Sequence, residues 1–406
     1  MASRGARWRR RWKWGLVPAF VLLLAADSVP FTVLSADATA GLTKGFASWE
    51  ASGQTCWEPP DSVIALADDP DAAAEALDPG NTAGGPVRVH QLLDGDHWET
   101  CSGPAGADLI GSVLLAATTG RTADAGPGAA PGEPRTLAQA RTFHRTVTVL
   151  GADDAPGYPR EFVPYLARML ASYIVDVSDG LLGYGDETGP ALQDDEERGE
   201  ARAVLSRDDD GSPALRALLW ELTADPEAFA LLYDALGAYF AHLLERTDAQ
   251  IVREAPEEWP GHPFGDDHYL LTEGFATLLG LREWHIAAGR IPDGPAFDRQ
   301  VLTHSTGAHL PFRPTGDEGP GRVSRIADRP AAVPAKQWAV SGALDAGLEP
   351  EAAAVWFMSP RDHLGRVLDE WAADRDIPAE YRDHVHRKFT GWYLTELRSI
   401  GLPPGR

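Results

Sequence analysis

Cysteine, positive charge and recognisable catalytic strings are all scarce in this chain, and each scarcity removes a class of answers. Only two cysteines stand among 406 residues, too few for a cysteine-built metal site. The strings H-E-x-x-H, G-x-S-x-G, the Walker A loop and G-x-G-x-x-G are missing, so no cofactor is expected and the commonest enzyme signatures do not apply. Lys and Arg number 36 against 60 Asp and Glu, for a net charge of −24. Arg4, Arg7, Arg9, Arg10, Arg11 and Lys13 all precede residue 14; taking those six positive charges away leaves a body of −30. A surface of that sign repels phosphate backbones and argues against nucleic-acid binding. No repeat of solenoid type is present either.

What is there begins with an apolar stretch behind the basic head. Residues 1–13 form the head and 14–36 the stretch, whose core, Gly15-Leu-Val-Pro-Ala-Phe-Val-Leu-Leu-Leu-Ala-Ala26, has the length of a signal-peptide h-region. The whole approaches the roughly 20 residues that span a bilayer. Asp27 near its middle costs about 2.5–3.5 kcal/mol in a spanning helix, which favours cleavage at Ala36-Asp37-Ala38. The length of chain beyond Ala26 favours an uncleaved anchor instead. The reading adopted is a single-pass anchor with a cytoplasmic N-terminus and the body outside; secretion after cleavage near Ala36–Ala38 is the alternative.

Cys56 and Cys101 both follow that stretch, and an even pair suits an oxidising compartment. A disulfide between them is expected, worth about 4 kcal/mol in the chain-entropy model. Residues 37–118 otherwise read as a small, loop-rich exported region, with turn signals at Asp68-Asp-Pro-Asp, Asp78-Pro-Gly-Asn and Ala83-Gly-Gly-Pro. Pro86-Val-Arg-Val-His90 alternates like a short strand. The Gly/Pro/Ala composition of 119–135 predicts a linker and a domain boundary.

From 136 to 406 the pattern is helical. Phe162, Tyr165, Leu166, Met169, Leu170, Tyr173, Ile174 and Val177 share one face and predict a single helix of about four turns. Ser212-Pro213 and Asp225-Pro226 read as N-cap and first helical position of two further helices. Another is expected from near Asp267 to Ala288, stopped by Gly289. Two more carry Leu364, Val367, Leu368 and Trp371, then Tyr381, Val385, Phe389, Trp392 and Leu397. Each is amphipathic, so they require mutual packing. Residues 291–329, rich in Gly, Pro and His, read as the largest irregular insertion. The fold class expected is mainly α: an irregular helical bundle behind a membrane segment and a small, disulfide-stapled subdomain.

Candidate chemistry is thin. His262, Asp266, Asp267 and His268, with His304 and His309, offer imidazole and carboxylate ligands of the kind zinc takes, without a diagnostic spacing. Ser206-Arg-Asp208-Asp-Asp210-Gly211 begins like a calcium loop, but Ala217 stands where the bidentate Glu belongs. His384 and His386 fall on different faces of a helix.

Phe162-Val-Pro-Tyr-Leu-Ala-Arg-Met-Leu-Ala-Ser-Tyr-Ile-Val-Asp-Val, Leu215-Arg-Ala-Leu-Leu-Trp-Glu-Leu-Thr-Ala-Asp-Pro-Glu-Ala-Phe and Ala238-Tyr-Phe-Ala-His242 together resemble one known module. It is the helical module of large actinobacterial proteins whose N-terminal parts are WXG100-like, a type linked to type VII secretion. The resemblance covers residues about 160–290 and implies a protein-interaction role without catalytic residues to carry over. This chain departs from that pattern: no WXG100 hairpin precedes the module, and Trp259-Pro-Gly261 and Tyr269-Leu-Leu-Thr-Glu273 match its short tags only formally. The function expected is a membrane-tethered, extracytoplasmic helical protein that binds envelope or secretion-system proteins. The alternatives are an envelope metal-dependent hydrolase using the His/Asp ligands, and an exported toxin or its neutralising partner.

Overall fold

Helix starts and stops are where this chain writes its instructions most plainly. In the computed structural model the described residues are 56–80, 89–101, 105–125, 135–152, 155, 157–182, 192–195, 200–203, 205, 212–246, 266–305, 350–379, 382–383, 386–391 and 393. Segment 14–36 lies outside them, and among them no helix is long and apolar enough to cross a membrane. The helices are α1 (Asp61–Leu66), α2 (Pro70–Leu77), α3 (Val89–Leu92), α4 (Gly106–Thr119), α5 (Leu137–Leu150), α6 (Val163–Ser172) and α7 (Ile174–Leu182). After a hairpin of β1 (Leu192–Asp195) and β2 (Glu200–Ala203) come α8 (Pro213–Leu222), α9 (Pro226–Arg246) and α10 (Asp266–Ala287). Then follow α11 (Gly294–His304), α12 (Pro350–Phe357) and α13 (Pro360–Asp374).

The caps expected from the sequence are formed. Ser212 accepts from Leu215 N–H ahead of α8, and Asp225 accepts from the N–H groups of Glu227 and Ala228 ahead of α9. Each satisfies donors that the first helical turn leaves free. Gly289, at φ 74°, lets the chain turn left-handed after α10, a conformation that costs other residues a Cβ clash. Thr136 and Gln139 close a capping box on α5.

Several expectations differ from the structure. The described residues of 37–118 are mainly helical rather than loop-rich, holding α1 to α3 and nearly all of α4, and Val89 and His90 open α3 rather than a strand. Asp69 caps α2 by accepting from Ala72 N–H, with Pro70 at the first helical position. Of the expected linker 119–135, residues 126–134 lie outside the described residues; α4 before it and α5 after it pack against each other within one compact unit, Leu34–Arg406. α4 is buried along nearly its whole length, only Asp108 being exposed, with Leu109, Ile110, Val113, Leu114 and Leu115 in the core, and it packs against α2, α5 and α6. A helix buried nearly all round has little polar face and shows little 3.6-residue period. One hydrophobic cluster runs from Trp57 through α4 and α9 to Phe389.

The expected helix over 162–177 is two helices meeting at Tyr173. The break is set by tertiary contacts: Tyr173 Oη donates to the Thr118 carbonyl at 2.8 Å, and its ring stacks on Phe143 with centroids 3.8 Å apart. Ser172 Oγ turns back to the Arg168 carbonyl one turn earlier, which loosens the ladder there. Finally, 291–329 is not irregular at its start. Asp293 accepts from Ala296 N–H and Pro295 sits in the first turn, so α11 forms and buries Phe297 and Val301; 306–329 lies outside the described residues.

Several buried carboxylates in this core are paired. Asp176 holds Arg135 at 3.2 Å, and Arg135 also lies over the Tyr173 ring. Asp298 on α11 takes Arg282 of α10 through two oxygens, at 2.7 and 2.6 Å. Asp234 on α9 accepts from Ser305 Oγ at 2.7 Å, fastening the end of α11. Such bonds fix register more than they add stability.

Candidate functional site

The residues singled out from the sequence for metal binding do not assemble among the described residues. His304 is exposed at the C-terminal end of α11. Asp266 and His268 belong to the first turn of α10, their side chains outside the described set, as are His262, His309, the acidic loop 206–211 and His384. Among the described residues no three His, Cys, Asp or Glu side chains gather as a metal would need. His386 instead contacts Asp369 of α13 at 3.2 Å. A cavity beside it, lined by Thr272, Leu364, Phe389 and Tyr393 among others, measures about 20 Å³, the room of roughly one water. Burial, aided by Glu283 and opposed by Arg282, pushes the Tyr393 hydroxyl up to about 12.

Cys56 and Cys101 are joined, with Cα atoms 5.0 Å apart. Around the bond, Trp57 N–H donates to the Glu99 carbonyl and Cys101 N–H donates to the Trp57 carbonyl. The Trp57 ring is fully buried against His97, centroids 4.7 Å apart. Burial lowers the His97 pKa, over the raising effect of the backbone groups of Leu92 and Gln91 and of Asp94 and Asp96. The next residue, Trp98, donates its indole N–H to the Gly157 carbonyl at 3.0 Å and packs on Phe162. The disulfide loop therefore props the segment that carries Tyr158.

That segment leads to the most unusual group of side chains in the molecule. Trp220 and Glu221 end α8; Trp284 and His285 end α10; Arg290 follows the left-handed turn at Gly289. The two indoles meet edge-on, centroids 6.3 Å apart, and both stay partly exposed. Arg290 lies over the Trp220 ring and grips Glu221 through two nitrogens, at 3.2 and 2.6 Å. Beneath them His285 is wholly buried, its ring 4.2 Å from that of Trp220.

The His285 ring is oriented by α8. Its Nε2 lies 2.6 Å from the Trp220 carbonyl and 3.2 Å from Thr223 Oγ1. A carbonyl only accepts, so Nε2 carries the proton and donates. The Trp220 carbonyl is in the last turn of α8, where carbonyls lack partners within the helix. Nδ1 is then the bare nitrogen, and among the described residues it meets no hydrogen-bond partner. Burial is the largest influence on this group and lowers its pKa; Arg290 adds to that, while the Trp220 carbonyl and Glu221 oppose it. Tyr158 is similar: its hydroxyl is buried without a partner among the described residues, and burial, reinforced by Glu221 and opposed by Arg290, raises its pKa.

None of these residues was among the sequence candidates. The corner joins residues far apart in the chain, and only the placement of tryptophans at two helix ends hints at it. Chemically it is an aromatic and guanidinium surface; the Thr223 hydroxyl that lies 3.2 Å from His285 Nε2 is buried and donates to the Leu219 carbonyl. Compared with family models, curated proteins and solved structures, the chain matches none.

Proposed function

We propose that this chain is an exported helical scaffold that binds another protein at the cell envelope, through the corner built by Trp220, Trp284, Tyr158, Arg290 and Glu221. The observation that carries the reading is the partly exposed Trp220–Trp284 pair with Arg290 fixed over it by Glu221. Trp, Tyr and Arg are the residue types that dominate binding energy at protein interfaces. Here their rotamers are already held, so little side-chain entropy is lost on docking. Residues 291–329, read from the sequence as an irregular insertion, begin at the residue after Arg290.

Export and tethering rest on the arginine-rich head, the apolar stretch 14–36 and the Cys56–Cys101 bond, which persists in an oxidising compartment. The likeness of 160–290 to the module of type VII secretion-associated proteins points the partner toward envelope or secretion proteins. The test is to crosslink the C-terminally tagged full chain in its host and identify both its bound proteins and its own N-terminus. An uncleaved chain bound to specific envelope proteins supports the reading. A solitary chain beginning near Asp37 or Thr39 overturns the tether and the partner together.

A further inference from the structure

We propose that His285 is an acid-sensitive latch: its protonation opens the junction between the last turn of α8 and the last turn of α10 and releases the Trp220–Trp284 corner. This concerns the conformation of the corner alone and stands whether or not a protein docks there.

The geometry sets the latch in three ways. First, the ring has no exposure to water, so a charge on it gains no hydration while the junction is closed. Second, the closed state uses the neutral ring. Nε2–H is committed to the Trp220 carbonyl, and a proton added at Nδ1 finds no acceptor among the described residues. A buried donor without a partner is a cost that only opening removes. Third, the contact closes the junction directly, since α8 and α10 are linked here by this bond, by the ring packing of His285 and Trp220, and by Trp220 on Trp284.

The surrounding charges do not replace the missing acceptor. α8 brings Glu221, and the turn after α10 brings Arg290; these two neutralise each other in a bidentate pair. On its own helix, Arg282 is taken by Asp298 and Glu283. Asp225 at the head of α9 caps that helix and holds Arg160. Tyr158 from the preceding segment presents a hydroxyl that stays protonated. The α8 carbonyl end favours a cation, as helix C-termini do, but the loss of hydration on burial outweighs that attraction.

In the open state the ring is hydrated and titrates near the ordinary histidine value of about 6.5. Below that pH the open state takes up one proton more than the closed state, and the opening equilibrium rises up to about tenfold per pH unit. Two backbone bonds to the His285 carbonyl, from Arg290 and Ile291 N–H, lie in the same turn and open with it.

The experiment is amide hydrogen exchange on the detergent-solubilised full chain at pH 7.5, 6.5 and 5.5, corrected for intrinsic exchange and read on peptides covering 216–224 and 282–292. The result expected is a loss of protection of about fivefold between pH 6.5 and 5.5, confined to these peptides. It is absent in His285→Gln, whose amide donates to the same carbonyl without titrating, and kept in His97→Gln. Acid-independent protection in the wild-type chain, or an acid response that survives in His285→Gln, overturns the latch. Should His285→Gln not fold, exchange of the imidazole C2 proton in the wild type gives the titration of His285 itself. A midpoint at or above about 6.5 in the closed protein overturns it as well.

Discussion

The imidazole of His285 reaches from the end of α10 to the end of α8, where its Nε2 stands 2.6 Å from the carbonyl oxygen of Trp220. This contact joins the last turns of two long-separated helices and places two tryptophans side by side at the surface. It also leaves a buried ring nitrogen bare.

The first consequence is a stability that depends on pH. His97 and His285 are both lowered from the ordinary histidine value by burial. A histidine lowered on folding binds fewer protons in the folded state, so its contribution is whole above the unfolded value of about 6.5 and fades as pH falls. Each such group takes away up to about 1.4 kcal/mol per pH unit below that point. Urea denaturation of the full chain between pH 7.5 and 5.5 checks it. His97→Gln and His285→Gln each flatten the slope, and the double variant flattens it most.

Reduction is expected to act on the whole core. The Cys56–Cys101 bond closes a loop of 45 residues holding α1 to α3, so Cys56→Ser with Cys101→Ser lowers stability by about 4 kcal/mol in the chain-entropy model. Because α4 packs on both α2 and α6, the loss appears as a lowered midpoint of the main unfolding transition. An early transition of the first hundred residues alone, with the rest unaffected, contradicts the single core.

Tyr173→Phe tests the same continuity from the other side. The variant keeps the ring stacked on Phe143 and deletes only the bond to the Thr118 carbonyl, which joins α4 to the α6–α7 break. A buried carbonyl left without its donor costs about 1–3 kcal/mol. Differential scanning calorimetry reads the drop.

Gly151→Ala is expected to be poorly tolerated. A Cβ there stands 2.2 Å from the carbonyl oxygen of Ala214 at the start of α8, a backbone atom that cannot swing away. Overpacking of this kind costs about 1–3 kcal/mol, and chemical denaturation of the variant measures it.

How much of this was legible in the residues follows from where the determining contacts lie. Helix boundaries written locally, such as Ser212-Pro213, Asp225-Pro226 and Gly289, stand where the sequence places them. Elements determined by distant partners do not. The sequence gives no sign of the break at Tyr173, because Phe143 and Thr118 come from other helices. α4 shows little period since nearly all of it is covered, and α1 to α3 are too short and too punctuated by turn residues to register. α10, buried on several faces, is legible through its stop at Gly289. The candidate corner was illegible for the same reason: the ring of His285 depends on a backbone carbonyl 65 residues away, and no string of letters records a carbonyl.

The central claim is that the Trp220–Trp284 corner is a protein-binding surface on an exported chain. A photo-crosslinking amino acid placed at Ile286, a partly exposed neighbour of that corner, tests it most directly in intact cells. A discrete adduct with one envelope or secretion protein is expected, lost when Trp284→Ala and Arg290→Ala are introduced into the same chain. Absence of any adduct from position 286, or an adduct indifferent to both substitutions, contradicts it.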